Sequence, residues 1–401
     1  MSLRKLNLQD LAFAGKRAFV RVDFNVPLKE GVIQDDTRIQ AALPTLKFIL
    51  EAGGAVIAAS HLGRPKGQVV DSLRMAPVAE RLQQSLPQFT VLQAGDVAGE
   101  EAAEAAAKLQ PGQLLLLENL RFEAGETKND PALAQRLASM ADIFVQDAFG
   151  TCHRAHASTA GVPAILKPAV SGFLLEREID AFRSALDQPK RPVVGITGGA
   201  KVSDKIPVLK NLIEKVDTIL VGGGMAYTFL QVQGLSTGNS LVETERLQDA
   251  KEILALAEAA GVRFLLPSDH VIADRFAEDA ASQTVEGNIP DGWMGLDIGP
   301  KTLATYQAAI AEAGTVIWNG PMGVFEMEAF RQGSLGVAQA LAASDCVSVV
   351  GGGDSVSAIK MSGLADQVSH ISTGGGAFLE MLEGKELPGI AALDDYRVVQ
   401  A

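Results

Sequence analysis

Only two of the 401 residues are cysteine, Cys152 and Cys346. That excludes a disulfide-stapled scaffold and leads us to expect a reducing, cytoplasmic setting. Long hydrophobic runs are missing too: stretches such as Leu114–Leu117 stop far short of the roughly 20 residues that a membrane helix needs. Met1–Leu6 runs on to Asp10 before any sustained apolar segment, so no secretory leader is expected. Positive charge is in deficit, with 35 Lys and Arg against 48 Asp and Glu and a net charge of −13. Non-specific nucleic-acid binding is therefore disfavoured, and any anion site must be local. No short repeat or low-complexity tract occurs. The phosphate-loop pattern G-x-x-x-x-G-K-[ST] is absent, and no G-x-G-x-x-G follows the first strand of either half.

What is present is apolar sequence and glycine: 47% hydrophobic residues and 40 glycines in a chain too long for one ordinary core. Two α/β domains are expected. One plan recurs, an apolar strand that ends in polar or glycine residues and is followed by a helix. Arg17–Val26 reads as the first strand, and Asp36 as the N-cap of a helix through Leu50 that Gly53-Gly54 ends. Ala55–Ser60 is the next strand, Ser72–Leu86 a helix, Phe89–Leu92 a short strand and Gly99–Leu109 an alanine-rich helix. Leu114–Leu117 and Asp142–Val145 follow as strands, with a helix opening at Asp130-Pro131 between them. Ser171–Leu186 is amphipathic and reads as a connecting helix, and the prolines and charges of Asp187–Pro192 mark a domain boundary. In the second half Thr218–Val221, Val316–Trp318, Val347–Val350 and Val368–Ser372 each run into glycine. Strands alternating with helices imply parallel sheets covered on both faces.

Ligands of such sheets bind outside the carboxyl ends of the strands. In the first half those ends carry Arg21, His61, Arg64, Arg121, His153, Arg154 and His156, a set suited to a small polyanion. Each arginine alone would read as a surface ion pair, and His153 with His156 as a zinc pair lacking further ligands. In the second half, glycine triplets that open helices can offer backbone N–H groups to a polyphosphate, or can simply be tight turns. Gly195–Lys205 is a strand, a glycine turn and then the helix Ile206–Ile213. Lys201 and Lys205, four apart, are expected on its first turn, and both phosphate binding and a structural turn fit this pattern. Asp354 reads as a helix cap or as a magnesium ligand. Trp293 and Trp318 read as packing residues, and Cys152 as an inert thiol.

The strings R-V-D-F-N-V-P at 21–27, S-H-L-G-R-P at 60–65, E-N-L-R-F at 118–122, D-A-F-G-T at 147–151 and H-R-A-H at 153–156 are followed by G-G-A-K-V at 198–202 with Asp204-Lys205. G-W-M-G-L-D at 292–297, W-N-G-P-M-G-V-F-E at 318–326, G-G-G-D-S at 351–355 and S-T-G-G-G-A at 372–377 complete the series. In this order and over nearly the whole chain, they resemble the phosphoglycerate kinase family. The resemblance implies two doubly wound, Rossmann-like parallel-sheet domains joined by a hinge helix. Residues 1–170 would form the acid-substrate domain, completed by a returning tail at 377–401. Residues 171–186 would be the connecting helix and 187–376 the nucleotide domain. The implied activity is transfer of the 1-phosphoryl group of 1,3-bisphosphoglycerate to Mg·ADP, giving 3-phosphoglycerate and Mg·ATP, by a cytoplasmic monomer with no nucleic-acid or membrane partner.

The resemblance also implies site residues. The acid would be held by Asp23, Phe24, Asn25, Arg38, His61, Leu62, Gly63, Arg64, Arg121 and Arg154. The nucleotide would be held by Gly198, Gly199, Ala200, Lys201, Lys205, Gly222, Gly223, Gly295, Leu296, Asn319, Pro321, Glu326, Gly352, Gly353, Asp354 and Ser355. Within that set Glu326 faces the ribose and Asp354 the Mg²⁺. Arg38, Lys205 and Gly374-Gly375-Gly376 would hold the transferring phosphoryl group. The sequence departs from the family pattern at Thr197, Gln146 and Ser355, none of which removes a charge that the reaction needs. Two rival readings are a nicotinamide oxidoreductase, which the missing G-x-G-x-x-G disfavours, and a non-catalytic anion-binding protein, which would not need the nucleotide-type turns or Asp354.

Overall fold

The computed structural model describes residues 4–396. Residues 1–3 of the expected first domain and 397–401 of its expected tail lie outside the described residues. The chain divides into two compact units: one runs to Ile179 and takes in the residues from Glu386 on, and the other is Asp180–Lys385. Among the described residues no helix is long and apolar enough to cross a membrane.

The first unit is built on β1 (Arg17–Arg21), β2 (Ala55–Ala59), β3 (Thr90–Gln93), β4 (Gln113–Leu116), β5 (Ile143–Gln146) and β6 (Ala169–Ser171). All are parallel, in the order β3-β4-β2-β1-β5-β6. The central strands are buried along their length, as strands covered on both faces must be. Val20, Val56 and Leu114 pack there with Ile39, Leu46 and Ile49 of the helix Thr37–Glu51.

Some expected boundaries move. The first strand stops at Arg21; Val22 adds one bond to the Ala59 carbonyl (3.1 Å), and the chain then loops out, so that Asp23 and Asn25 lie beyond the sheet. Asp36 occupies the N-cap position but makes no capping bond, because Arg81 (2.6 and 2.8 Å) and Gln40 (2.8 Å) hold its carboxylate. The helix expected over Ser72–Leu86 is a 3₁₀ turn, Asp71–Leu73, and a separate helix, Ala76–Ser85, with Pro77 in its first turn, where a missing N–H costs nothing.

The second unit is built on β7 (Val193–Thr197), β8 (Thr218–Val221), β9 (Arg263–Leu265), β10 (Thr315–Asn319), β11 (Val347–Val350) and β12 (His370–Ile371). These too are all parallel, in the order β9-β8-β7-β10-β11-β12. The strand order reverses between β7 and β10, the place where doubly wound sheets open a crevice for ligands. An antiparallel sheet of Asp269–Ala273, Ser282–Glu286 and Met294–Ile298 was not expected from the sequence. Its strand Ser282–Glu286 is polar and mostly exposed, so it carries no apolar run to read.

The connecting segment is also more broken than expected. β6 ends at Ser171, the helix Phe173–Phe182 follows, and a π-helical turn, Arg183–Asp187, closes it. The chain returns to the first unit at Glu386 rather than at 377. The intervening helix Gly375–Leu382 stays with the second unit: Asn211 Nδ2 donates to the Leu382 carbonyl (2.7 Å), and Phe378 meets Phe182 edge to face.

Asp147, fully buried just after β5, accepts from the Leu174 (2.8 Å) and Leu175 (3.3 Å) backbone N–H groups and so fixes the start of the helix Phe173–Phe182. Burial nevertheless raises its carboxyl to about 7. A raised folded-state value means that the native protein holds a proton which the unfolded chain releases. The associated stability is complete below about pH 4 and is lost as the pH rises to about 7. Relative to Asp147→Asn, the wild type should therefore lose up to about 1.4 kcal/mol per pH unit across that window and nothing further above it. Urea unfolding of both proteins from pH 5 to 8 measures this, and a pH-independent difference would show that Asp147 is ionised throughout.

Candidate functional site

At the strand ends of the first unit, a loop scaffold comes before the charges. Phe24 N–H donates to Ser60 Oγ (2.8 Å), Gly63 N–H to Asn25 Oδ1 (2.8 Å) and Leu62 N–H to Asn119 Oδ1 (3.1 Å). These bonds tie the loop after β1 to the loop after β2 and to the β4 end. Arg121 donates to the Gly63 carbonyl (2.9 Å), and Arg38 pairs with Asp23 at 2.6 Å. Arg64 and Arg154 are exposed, and Arg154 Nε donates to His153 Nε2 (3.1 Å).

The electrostatics show that these side chains share one region. Burial holds His61 well below its ordinary value, aided by Arg21, Arg121 and Arg38. Burial likewise lowers Arg121, with Arg21, Arg154 and Arg64 adding repulsion. An acidic protein thus gathers a cationic patch at one sheet edge. The histidines in it add no charge: burial and the arginines bring His156 down to about 4 and His61 lower than normal, so both rings are neutral at pH 7. They offer hydrogen bonds instead.

In the second unit the turns after β7, β8, β10 and β11 pack backbone against backbone. Gly198 N–H donates to the Asn319 carbonyl (3.1 Å), Gly223 N–H to Met322 (2.8 Å) and Met225 N–H to Gly199 (3.0 Å). Only glycine fits at 320: its φ is +110°, and a Cβ there would lie 2.2 Å from the Gly198 carbonyl oxygen. Gly222 is closed in less tightly, a Cβ there lying 2.6 Å from Met322 Sδ and 2.9 Å from its Cα. The helix Gly353–Met361 opens at Gly352, and the helix Gly375–Leu382 at Gly374. Their first turns are neighbours, since a Cβ on Gly375 would be 3.7 Å from Gly353 N. Two helix N-termini, each with unpaired N–H groups and a partial positive charge, therefore meet at one place, including the predicted Gly376.

Lys205 reaches that neighbourhood and hydrogen-bonds Asn319 Oδ1. Burial lowers its ammonium, while Asp204, Asp354 and Glu383 act to restore it. The expected pairing of Lys201 with Lys205 on a first helical turn is not what forms. The helix begins at Ile206, Lys205 is its N-cap, and Lys201 stands exposed in the preceding loop, within electrostatic reach of Glu243. Ser355 is buried and its Oγ accepts from Gly320 N–H (2.5 Å), so its hydroxyl braces the glycine turn.

A cavity of about 450 Å³ adjoins these turns and is lined by the predicted Gly199, Ala200, Gly223, Gly295, Leu296, Pro321, Glu326 and Asp354. Asn239, Leu241, Phe276, Met294, Val324 and Phe325 line it as well and were not anticipated. Two of these had a readable signal: Phe276 (62% exposed) and Leu241 (49%) are apolar residues in polar loops. Asp354, exposed on the first turn of its helix, suits a magnesium ion, which needs one or two carboxylates and takes its remaining oxygens from phosphate and water. Among the described residues no group of three or more His, Cys, Asp or Glu gathers to hold a metal alone. Trp318 is fully buried and its indole N–H is spent on the Gly320 carbonyl (2.7 Å), and the Cys152 thiol is buried and pushed up.

Known proteins resemble this chain along nearly its whole length. The family model described as phosphoglycerate kinase matches residues 8–385. The phosphoglycerate kinase of Moorella thermoacetica is 56% identical over 394 residues, covering 98% of this chain and 100% of that protein. That of Clostridium perfringens is 53% identical over 396 residues, with the same coverage. The solved structure of phosphoglycerate kinase from Coxiella burnetii superposes with a TM-score of 0.91 at 45% identity, covering 97% of this chain and 98% of that one. The chain belongs to the phosphoglycerate kinase family.

Proposed function

We propose that this chain catalyses reversible transfer of the 1-phosphoryl group of 1,3-bisphosphoglycerate to ADP, working in the cytoplasm as a monomer. The supporting observation is the meeting of two helix N-termini with Lys205 and Asn319 beside a nucleotide-sized cavity. Phosphoryl transfer calls for placement and charge neutralisation more than for covalent chemistry, and such a cradle supplies both. The first unit takes the acid through Asp23, Asn25, Arg38, His61, Arg64, Arg121 and Arg154. The second takes the nucleotide, with Glu326 toward the ribose and the phosphates over the N-termini at Gly353 and Gly375. Mg²⁺, held by Asp354 and phosphate oxygens, would neutralise charge on the polyphosphate. A coupled assay of ATP formation from 1,3-bisphosphoglycerate and ADP tests the reading; no turnover by protein that binds Mg·ADP would exclude it.

Arg38 and Lys205 each rest on an acceptor, Asp23 and Asn319, that an anion can replace. Arg38→Ala is expected to lower turnover about 10²- to 10³-fold with little change in ADP affinity, and Lys205→Ala to depress turnover likewise. Wild-type turnover in either variant would remove that residue from the reaction.

No side chain is needed as a general base. The nucleophile is a β-phosphate oxygen of ADP in one direction and the carboxylate of 3-phosphoglycerate in the other, both ionised at neutral pH. The depressed His61 and His156 fit this. His61→Asn should raise KM for the acid, and His61→Asn, His153→Asn and His156→Asn should each lower kcat by less than the roughly 10²- to 10⁴-fold of a lost acid–base group. Disappearance of a pH limb near about 6 to 7 from any of the three kcat profiles would identify a proton-transferring histidine.

A further inference from the structure

The hydrogen bonds around Arg21 run in one direction, and that direction decides which nitrogen of His61 carries the proton. Glu126, fully buried, accepts the Ser158 backbone N–H (3.0 Å) at one oxygen and the Ser158 hydroxyl (2.6 Å) at the other. With its only proton given to Glu126, Ser158 Oγ faces Arg21 Nε as an acceptor (2.8 Å). Arg21, 1% exposed, is further anchored by a bond from Nη1 to the Val22 carbonyl. Its Nη2 lies 3.3 Å from His61 Nδ1. A guanidinium has no acceptor, so Nδ1 must be the lone-pair nitrogen. The neutral ring therefore carries its proton on Nε2. The other tautomer would set two donors, Nδ1–H and the guanidinium N–H, against each other.

We propose that Glu126 and Ser158 are positioning residues which, through Arg21, hold His61 as the Nε2–H tautomer so that the ring donates a hydrogen bond to an oxygen of the bound phosphoglycerate. The donation to substrate rests on the reading of the first unit as the acid site. The tautomer does not depend on it, and the two are tested separately. The neighbouring His156 does not compete, since its Nδ1 is 3.8 Å from the Glu126 carboxylate, too far for a hydrogen bond.

¹⁵N–¹³C NMR of the ligand-free, histidine-labelled protein reports the tautomer, with the His61 signal identified by its loss in His61→Asn. The expected signal is Nε2–H. Ser158→Ala removes the link, and Glu126→Gln offers one oxygen where Ser158 needs two. Both should leave His61 as a mixture of tautomers and raise KM for 3-phosphoglycerate about ten-fold, with kcat and KM for Mg·ATP within about two-fold of wild type. An Nδ1–H signal in the wild type overturns the proposal whatever the variants do. So does a pure Nε2–H signal with unchanged KM in either folded variant. If one variant does not fold, the other and the wild-type spectrum decide. Wild-type protein that shows the Nε2–H tautomer yet binds no 3-phosphoglycerate would refute the acid-site reading and leave the tautomer assignment standing.

Discussion

A parallel strand that ends in a helix leaves unpaired N–H groups pointing away from the sheet, and the rest of this protein depends on where those ends are brought together. Backbone donors at a helix start cannot be moved like side chains; they go where the strand order sends them. In the second unit the order reverses between β7 and β10, and the turns there close on one another so tightly that Gly198 and Gly320 exclude any Cβ. With side chains cleared away, the N-termini at Gly353 and Gly375 become neighbours. Lys205 adds a formal charge to partial ones. The glycines are thus part of the electrostatics, because they set the distance at which peptide dipoles act.

The first unit reaches a similar local potential by other means. Its strand ends carry guanidinium groups rather than glycine turns, and Arg121 is lowered there first by burial and then by repulsion from Arg21, Arg154 and Arg64. The cost is contained by acceptors at chosen points: Asp23 for Arg38, the Gly63 carbonyl for Arg121, and Ser158 with Glu126 for Arg21. Burial then decides which groups carry charge at all. His61 and His156 stand among arginines and are neutral, so the patch presents cations and neutral donors in distinct roles.

Much of this was legible in the sequence because parallel sheets write themselves as short apolar runs. Ala55–Ala59, Ile143–Gln146 and Thr218–Val221 were found within a residue or so for that reason. The groups at their ends followed from the rule that ligands bind there. The antiparallel strand Ser282–Glu286 was not legible: it pairs with the neighbouring Asp269–Ala273, but its own residues are mostly polar and exposed, so no apolar alternation marks it. Asp36 takes the N-cap position as read, but the absence of its capping bond was not legible, because Arg81, which claims its carboxylate, comes from another helix. Lys201 and Lys205 were placed on one helical turn by spacing alone, but the helix does not begin until Ile206. Glu126 and Ser158 left no trace in local pattern: their significance arises only when the fold sets them against Arg21.

The return of the chain at Glu386 bears on the order of folding during synthesis. Gly389 N–H bonds to the Cys152 carbonyl (2.9 Å), Leu6 N–H to the Asp394 carbonyl (2.9 Å), and Asp394 N–H to the Ala169 carbonyl (2.9 Å). Lys5 is paired with Asp395 at 2.7 Å. The unit translated first therefore has one edge and its N-terminal strap unfinished until the whole of Asp180–Lys385 has left the ribosome. Domains usually fold in the order in which they emerge, at about 5–20 residues per second. Here the middle of the chain can complete its core first, and the first unit closes last, when residues 386–396 dock upon it.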